Sequence, residues 1–239
     1  MSMKNLLLIF LLCLHFPLPG NRIIAEESDS ILYRSSERMM NLLPADSTEF
    51  PPLNLLQTAL AGYELLVEDK SISRPEVITI IDFSLQSDRE RLWVLDLREG
   101  KVLFHCLVSH GRNSGELKAE NFSNTPGSYE SSPGFYVTGE TYIGKHGLSL
   151  TLDGLESGIN DKARARAIVI HGADYVSADF IRNNGRLGRS LGCPAVPVEL
   201  SEDIIKTIKG GSCLFIYAPQ PSYTSNSRII SKINSTVKT

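Results

Sequence analysis

Between residues 77 and 170 the apolar residues fall into short runs, at 77–83, 91–97, 101–108, 134–138, 148–152 and 167–170, and no other feature constrains the fold as tightly. Each run is too short for a helix that buries a useful face, and most are rich in the Val, Ile, Leu and Phe that suit a pleated, half-buried surface. Breaks of Gly, Pro, Ser and Asn separate them, so the middle of the chain is predicted as strands. Glu99-Gly100 lies between two runs and suits a tight hairpin, because glycine accepts positive φ at no steric cost. Upstream the period is different. After Pro51-Pro52, Leu53, Leu56, Leu60, Tyr63 and Val67 recur at helical spacing and predict one packing helix. Downstream, Ser201 before Glu202, Asp203, Ile204, Ile205 and Ile208, with Gly210-Gly211 after Lys209, predicts a capped helix that leads into a last strand, Cys213 to Tyr217. The expected fold is mainly β, a β-rich α+β arrangement in which a twisted sheet or sandwich carries peripheral helices. No internal repeat is visible.

The N-terminus has the layout of an export signal: Lys4, an apolar run from Leu6 to Leu14, then Phe16-Pro17-Leu18-Pro19-Gly20. The run is shorter than the roughly 20 residues a membrane-spanning helix needs, which favours cleavage near Ala25 over a retained anchor. Cys13 suggests lipid attachment, but Leu12 stands where such signals want a small residue. The predicted divisions are a signal peptide over 1–25, a lead-in with its packing helix over 26–70, a catalytic domain over 71–218 and a flexible tail over 219–239. Export places the mature protein in the periplasm or outside the cell, associated with the wall and without a stable membrane anchor. A net charge of -3 and charged residues at 21% fit an ordinary globular chain and give no electrostatic ground for a nucleic-acid partner.

An oxidising compartment makes the cysteines informative, because removal of the signal leaves Cys106, Cys193 and Cys213, an odd number. Cys106 and Cys213 sit inside strand-like apolar runs and read as small core hydrophobes, with a disulfide between them as the other possibility. Cys193 has a different setting. It follows Gly188-Arg189-Ser190-Leu191-Gly192, where glycines can expose backbone N–H groups to an oxyanion. His171 closes the apolar run Ala167-Ile168-Val169-Ile170, so its side chain can emerge from the edge of the core while its backbone stays fixed. A thiolate is the nucleophilic form of cysteine, and a neighbouring imidazole takes its proton and stabilises the charge.

His171-Gly172, followed by Gly188-Arg-Ser-Leu-Gly-Cys-Pro-Ala195, resembles the L,D-transpeptidase catalytic domain, also called YkuD-like, and most closely its murein branch. The resemblance extends over about residues 77 to 218 and takes in Val108-Ser109-His110-Gly111, Thr125-Pro126-Gly127 and Pro133-Gly134-Phe135-Tyr136-Val137. It implies the fold of that domain and an exported acyltransferase that acts on peptidoglycan stem peptides. Cys193 would attack the donor carbonyl, His171 would serve as base and then acid, and the Gly172 carbonyl would orient the imidazole. Backbone N–H groups of Gly192 and Cys193 would bind the oxyanion, and Ser190 would shape the turn or hydrogen-bond near the substrate. Many members have His before Gly-Cys and Arg two positions after Cys, whereas this chain has Leu191 and Ala195. Arg182, Arg186 or Arg189 is then the candidate cation for a substrate carboxylate, by bidentate pairing. His146 is a candidate cleft residue.

The expected activity is formation of an L,D cross-link through a Cys193 thioester. Water in place of the acceptor amine would give an L,D-carboxypeptidase, and hydrolysis of wall-protein linkages would use the same chemistry. A wall-binding module without activity is disfavoured by the intact His171, Gly192 and Cys193. His110, His146, His171, Asp174 and Cys193 include ligand types for zinc but lack compact pairs such as HExxH, so no metal and no cofactor is expected. The stretch Gly185 to Ser190 lacks the Gly-Lys-Ser/Thr ending of a phosphate loop. Asp174 is read as a helix cap rather than the third member of a triad.

Overall fold

A computed structural model of the chain describes residues 49–236. The expected export signal over 1–25 and the start of the lead-in, residues 26–48, lie outside the described residues. Within them the chain forms one sheet of eight strands in the order β3-β2-β1-β8-β4-β5-β6-β7. Strands β1 (Val77–Asp82), β2 (Leu92–Asp96) and β3 (Lys101–Cys106) form the expected antiparallel meander, turned at Gly100. β8 (Cys213–Tyr217) lies parallel to β1 and antiparallel to β4 (Gly134–Gly144). β5 (Gly147–Gly154) returns along β4, followed by β6 (Val169–Gly172) and the short parallel β7 (Ala195–Val196).

The central strands read as unbroken apolar runs because both faces of the sheet are covered. Ile78, Ile80, Trp93, Leu95, Cys213 and Phe215 belong to one core cluster. Ile81, Leu92, Val94, Cys106, Leu214 and Ile216 belong to the other. Successive side chains point to opposite faces, so each strand feeds both layers. Helix α1 (Leu53–Glu68) covers the first face through Leu55, Leu56, Ala59, Leu60, Tyr63 and Leu66. Residues set apart from the catalytic domain in the sequence therefore share its core. Leu53, expected on the packed face, is exposed. Gly62 lets α1 settle onto the sheet, since a Cβ there would stand 2.1 Å from the Phe135 ring.

Two features were not read from the sequence, β7 and the extension of β4 and β5 into a long hairpin, and helix α2 (Ala178–Asn184) starts three residues beyond the cap expected at Asp174. Helix α3 (Val198–Ile208) covers the second face with Ile204, Ile205 and Ile208. It starts after Pro197 rather than at Ser201, whose hydroxyl donates to the Val198 carbonyl inside the helix. The tail also differs from expectation. It forms helices α4 (Pro221–Asn226) and α5 (Arg228–Thr236), which bury Tyr223 and Ile230 in the cluster beneath α1. Its polar composition hid these anchors. Glu156, almost wholly buried, receives the Phe135 N–H at 2.9 Å and the Tyr223 hydroxyl at 3.1 Å on Oε1, and its Oε2 meets the Ser227 hydroxyl. No helix among the described residues is long and apolar enough to cross a membrane.

Cys106, Cys193 and Cys213 are all free thiols. Cys106 and Cys213 belong to clusters on opposite faces of the sheet, which rules out their pairing. Burial pushes the Cys106 thiol up to about 12 and raises that of Cys213 as well.

Candidate active site

His171 sits on β6, a strand held between β5 and β7 by pairing with Ser149 on one side and Ala195 on the other. The β6–β7 pairing brings the segment just before Ala195 alongside the strand that carries the histidine. Cys193 and His171 thus line a single cavity of about 530 Å³. The connection between them is pinned at its start, where Ala173 N donates to Val196 O at 3.0 Å, and at its end. Ser109 N donates to Ala195 O at 2.8 Å, Ser190 N to His110 O at 3.0 Å, and Arg112 N to Ser190 O at 2.8 Å. The Val108 to Gly111 segment is thereby the backrest of the cysteine turn.

The turn itself is closed by Ser190. Its hydroxyl donates to Cys193 O at 2.6 Å and accepts from Gly192 N at 3.1 Å. Ser190 thus bridges the two residues that follow Leu191. The same bond takes the Gly192 N–H away from the role of oxyanion donor. The Cys193 N–H has no hydrogen-bond partner among the described residues. Gly192 has φ 120, a conformation that side chains with a Cβ rarely adopt.

The imidazole has a defined tautomer. Its Nδ1 lies 2.8 Å from the Gly172 carbonyl oxygen, which can only accept, so Nδ1 carries the hydrogen and Nε2 is left as the basic nitrogen. Desolvation lowers the His171 pKa against the opposing pull of that carbonyl, and the neighbouring His146 and Lys145 lower it further. Burial raises the Cys193 pKa, opposed by the Val169 N–H, Arg166 and Lys145. Both shifts favour a neutral thiol beside a neutral imidazole at rest. The sulfur accepts from Val169 N at 3.5 Å and points to the Ala167 carbonyl at 3.7 Å, and no hydrogen bond joins it to His171 among the described residues. Such bonds often tighten only when substrate is bound.

His146 occupies the tip of the β4–β5 hairpin and stacks on His171, with ring centroids 4.4 Å apart and planes 22° apart. It lines the cavity. The arginines fall elsewhere. Arg186 and Arg189 both pair with Glu116, at 2.8 and 2.6 Å, and Arg182 pairs with Asp179 along α2. Opposite charges thus already satisfy all three. The cations that the sequence reading passed over are Lys145, beside His146, and Arg166, just ahead of β6; both line the cavity. Lys145 has no ion pair or hydrogen bond among the described residues. The signal for it was the Gly144-Lys145-His146-Gly147 turn between apolar strands. Asp174 is exposed and does not cap α2; Ser177 does, accepting from Phe180 N at 3.2 Å. Among the described residues no three His, Cys, Asp or Glu side chains gather to hold a metal.

Residues 51–217 match the L,D-transpeptidase catalytic domain family. Among solved structures, an L,D-transpeptidase from Mycobacterium smegmatis is 12% identical, with 60% of this chain and 59% of that one covered and a TM-score of 0.38. One from Stackebrandtia nassauensis is 16% identical over 79% and 77%, with a TM-score of 0.36. L,D-transpeptidase 3 from Mycobacterium tuberculosis, in complex with a faropenem-derived adduct, is 12% identical over 60% of each chain, with a TM-score of 0.40. The chain thus spans about three fifths of the length of the Mycobacterium proteins. No curated protein matches it.

Proposed function

Because the chain belongs to the L,D-transpeptidase catalytic domain family, we propose that it is a cysteine acyltransferase of the cell wall, with peptidoglycan stem peptides as substrates. The observation that carries this reading is the pairing in one cavity of the Cys193 thiol and an imidazole whose Nδ1 is held by Gly172 O, leaving Nε2 to take a proton. No carboxylate is needed for that orientation.

In the proposed reaction, Nε2 of His171 removes the thiol proton as Sγ attacks the donor carbonyl. The new C–O⁻ is met by the Cys193 N–H. Collapse of the adduct breaks the C–N bond to a terminal D-alanine, whose amine leaves with the proton from His171. An amine on a second stem then attacks the thioester, gives its proton to His171, and releases the thiolate as an L,D cross-link forms.

Two features of the cavity support transfer over hydrolysis and a donor with a free carboxylate. Tyr142 and Leu191, at 46 and 51% exposure, line the cavity as an apolar rim suited to cover a second peptide and exclude water from the thioester. Lys145, exposed at the cavity mouth and without an ion pair among the described residues, is a cation available for a substrate carboxylate, now that Arg186 and Arg189 are engaged with Glu116. The test is mass spectrometry of defined tetrapeptide muropeptides incubated with the full chain. Loss of D-alanine with a cross-linked dimer is expected. Loss of D-alanine with addition of water alone would assign a carboxypeptidase, and unchanged muropeptides from folded protein would overturn the reading. Export of the protein, proposed from its N-terminal sequence, is tested by fractionation of cells that produce the full chain.

A further inference from the structure

Arg166 lies outside every motif that links this chain to its family, yet it is among the most heavily bonded side chains at the cavity. Its Nη1 donates to Ser123 O at 2.7 Å and to Ser132 Oγ at 2.5 Å. Its Nη2 donates to Glu130 O at 2.6 Å and to Ser128 Oγ at 3.2 Å. All four partners are neutral, and no carboxylate lies within ion-pair distance of the guanidinium among the described residues. Arg166 therefore differs from Arg186 and Arg189, whose charge is cancelled by Glu116. It is a fixed, unneutralised and half-buried positive charge.

That charge stands against the cysteine turn. A Cβ placed on Gly192 would lie 3.4 Å from Arg166 Nη2 and 2.9 Å from Glu130 O, so the glycine lets the turn pass close to the guanidinium and its carbonyl partner. Arg166 and Cys193 line the same cavity. The other groups that bear on the sulfur are Lys145 and Tyr175, and the stacked His146 and His171 line the cavity with it. Glu130 and Tyr136 act on Arg166 as well. Lys145 is exposed on a hairpin tip, where water screens it, whereas a partly buried charge is screened much less. Ser190, meanwhile, occupies the Gly192 N–H, so the reacting centre has fewer backbone donors than the sequence suggests.

We propose that Arg166 is the fixed cation that stabilises the Cys193 thiolate and the oxyanion of its acyl adduct, in place of the Gly192 N–H withdrawn by Ser190. The oxyanion part rests on the acyl-transfer reading above; the thiolate part does not. Preorganised charge of this kind needs no reorganisation at the moment of reaction. The four hydrogen bonds supply the preorganisation, because they hold the guanidinium where a lysine on a flexible stem would wander.

The experiment is the pH dependence of Cys193 alkylation by iodoacetamide in the full chain, followed by intact mass and peptide mapping, for wild type, Arg166→Gln and Arg166→Lys. Arg166→Gln removes the charge, and the alkylation midpoint should move up by about one pH unit, about tenfold slower reaction below it. Arg166→Lys keeps the charge and should keep most of the wild-type midpoint, while both variants melt earlier for loss of the hydrogen bonds. A midpoint unchanged in Arg166→Gln, or moved equally in both variants, would overturn the proposal and leave Arg166 as a loop staple. Should neither variant fold, Ser132→Ala cuts one of the four bonds with the charge retained. A small upward shift is then expected, and none at all would count against the idea. Alkylation needs no muropeptide, so its result stands whether or not the chain turns over stem peptides.

Discussion

Asp174 follows His171 closely in sequence and invites the assignment of a Cys-His-Asp triad. Its carboxylate is exposed and makes no hydrogen bond or ion pair among the described residues, while the Gly172 carbonyl already holds Nδ1. Losing a triad carboxylate costs on the order of 10⁴ in rate. Asp174→Asn should therefore leave single-turnover acylation of Cys193 within a few-fold of wild type, measured by quench and mass spectrometry. A loss of a thousandfold in a folded variant would replace the carbonyl-oriented imidazole with a carboxylate triad. The three thiols separate just as cleanly. Cys193→Ala should abolish acyl-enzyme formation altogether. Cys106→Ala and Cys213→Ala should leave it intact and cost about 1–2 kcal/mol of stability, the effect of trimming a small buried apolar side chain. If a Cys106 variant loses turnover and the Cys193 variant keeps it, the nucleophile lies elsewhere.

At the scale of elements, the strands from 77 to 108 were legible because each carries an apolar run bounded by turn residues, and β1, β2 and β3 fall within a residue or two of their expected ends. What stayed hidden or was misplaced has no apolar pattern of its own. β7 is two residues long and exists only because β6 lies beside it. α2 buries none of its residues and rests on its Ser177 and Gly185 caps. Ser177→Ala should accordingly cost about 1 kcal/mol of helix stability, most of it local, as protection of the α2 amides in hydrogen exchange would report. The site followed the same division. Cys193, His171 and Gly172 were marked by the motif, but the pairing of Arg189 with Glu116 depends on a contact between distant loops that no spacing reveals. Gly62 gives the sharpest test of how an element's packing overrides its propensity. Alanine is the better helix former by about 1 kcal/mol, yet its Cβ would meet the Phe135 ring. Overpacking of this kind costs about 1–3 kcal/mol. Gly62→Ala should lower the melting temperature, and a raised one would mean that α1 can lift from the sheet without loss.

Across the whole molecule, the two ends of the described chain converge on one side of the sheet, where α4 and α5 pack beneath α1 and Glu156 ties them to β4. Burial raises the Glu156 pKa, more than its hydrogen bonds lower it. A carboxyl whose folded pKa lies above its unfolded value favours the folded state when protonated. Its contribution is fully present below the unfolded pKa, about 4.3, and fades as pH rises through the raised folded value. At neutral pH the buried charge is therefore a cost, offset by the tail hydroxyls that solvate it. Glu156→Gln removes the charge and keeps an oxygen for the Phe135 N–H and the Tyr223 hydroxyl. Its amide NH₂ can donate to the Ser227 oxygen. The variant should gain stability relative to wild type as pH rises from about 4 to 7, by urea unfolding at each pH, with the difference smallest at the acid end. Truncation after Ala218 tests the other half of the clamp. It strips Tyr223, Ser227 and Ile230 from the core and leaves the Glu156 carboxylate without its hydroxyl partners, so it should destabilise the chain most at neutral pH and less in acid. A truncation penalty that stays the same from pH 4 to 7 would sink the role of Glu156 as the charged half of that clamp, and leave apolar packing alone to hold the tail in place.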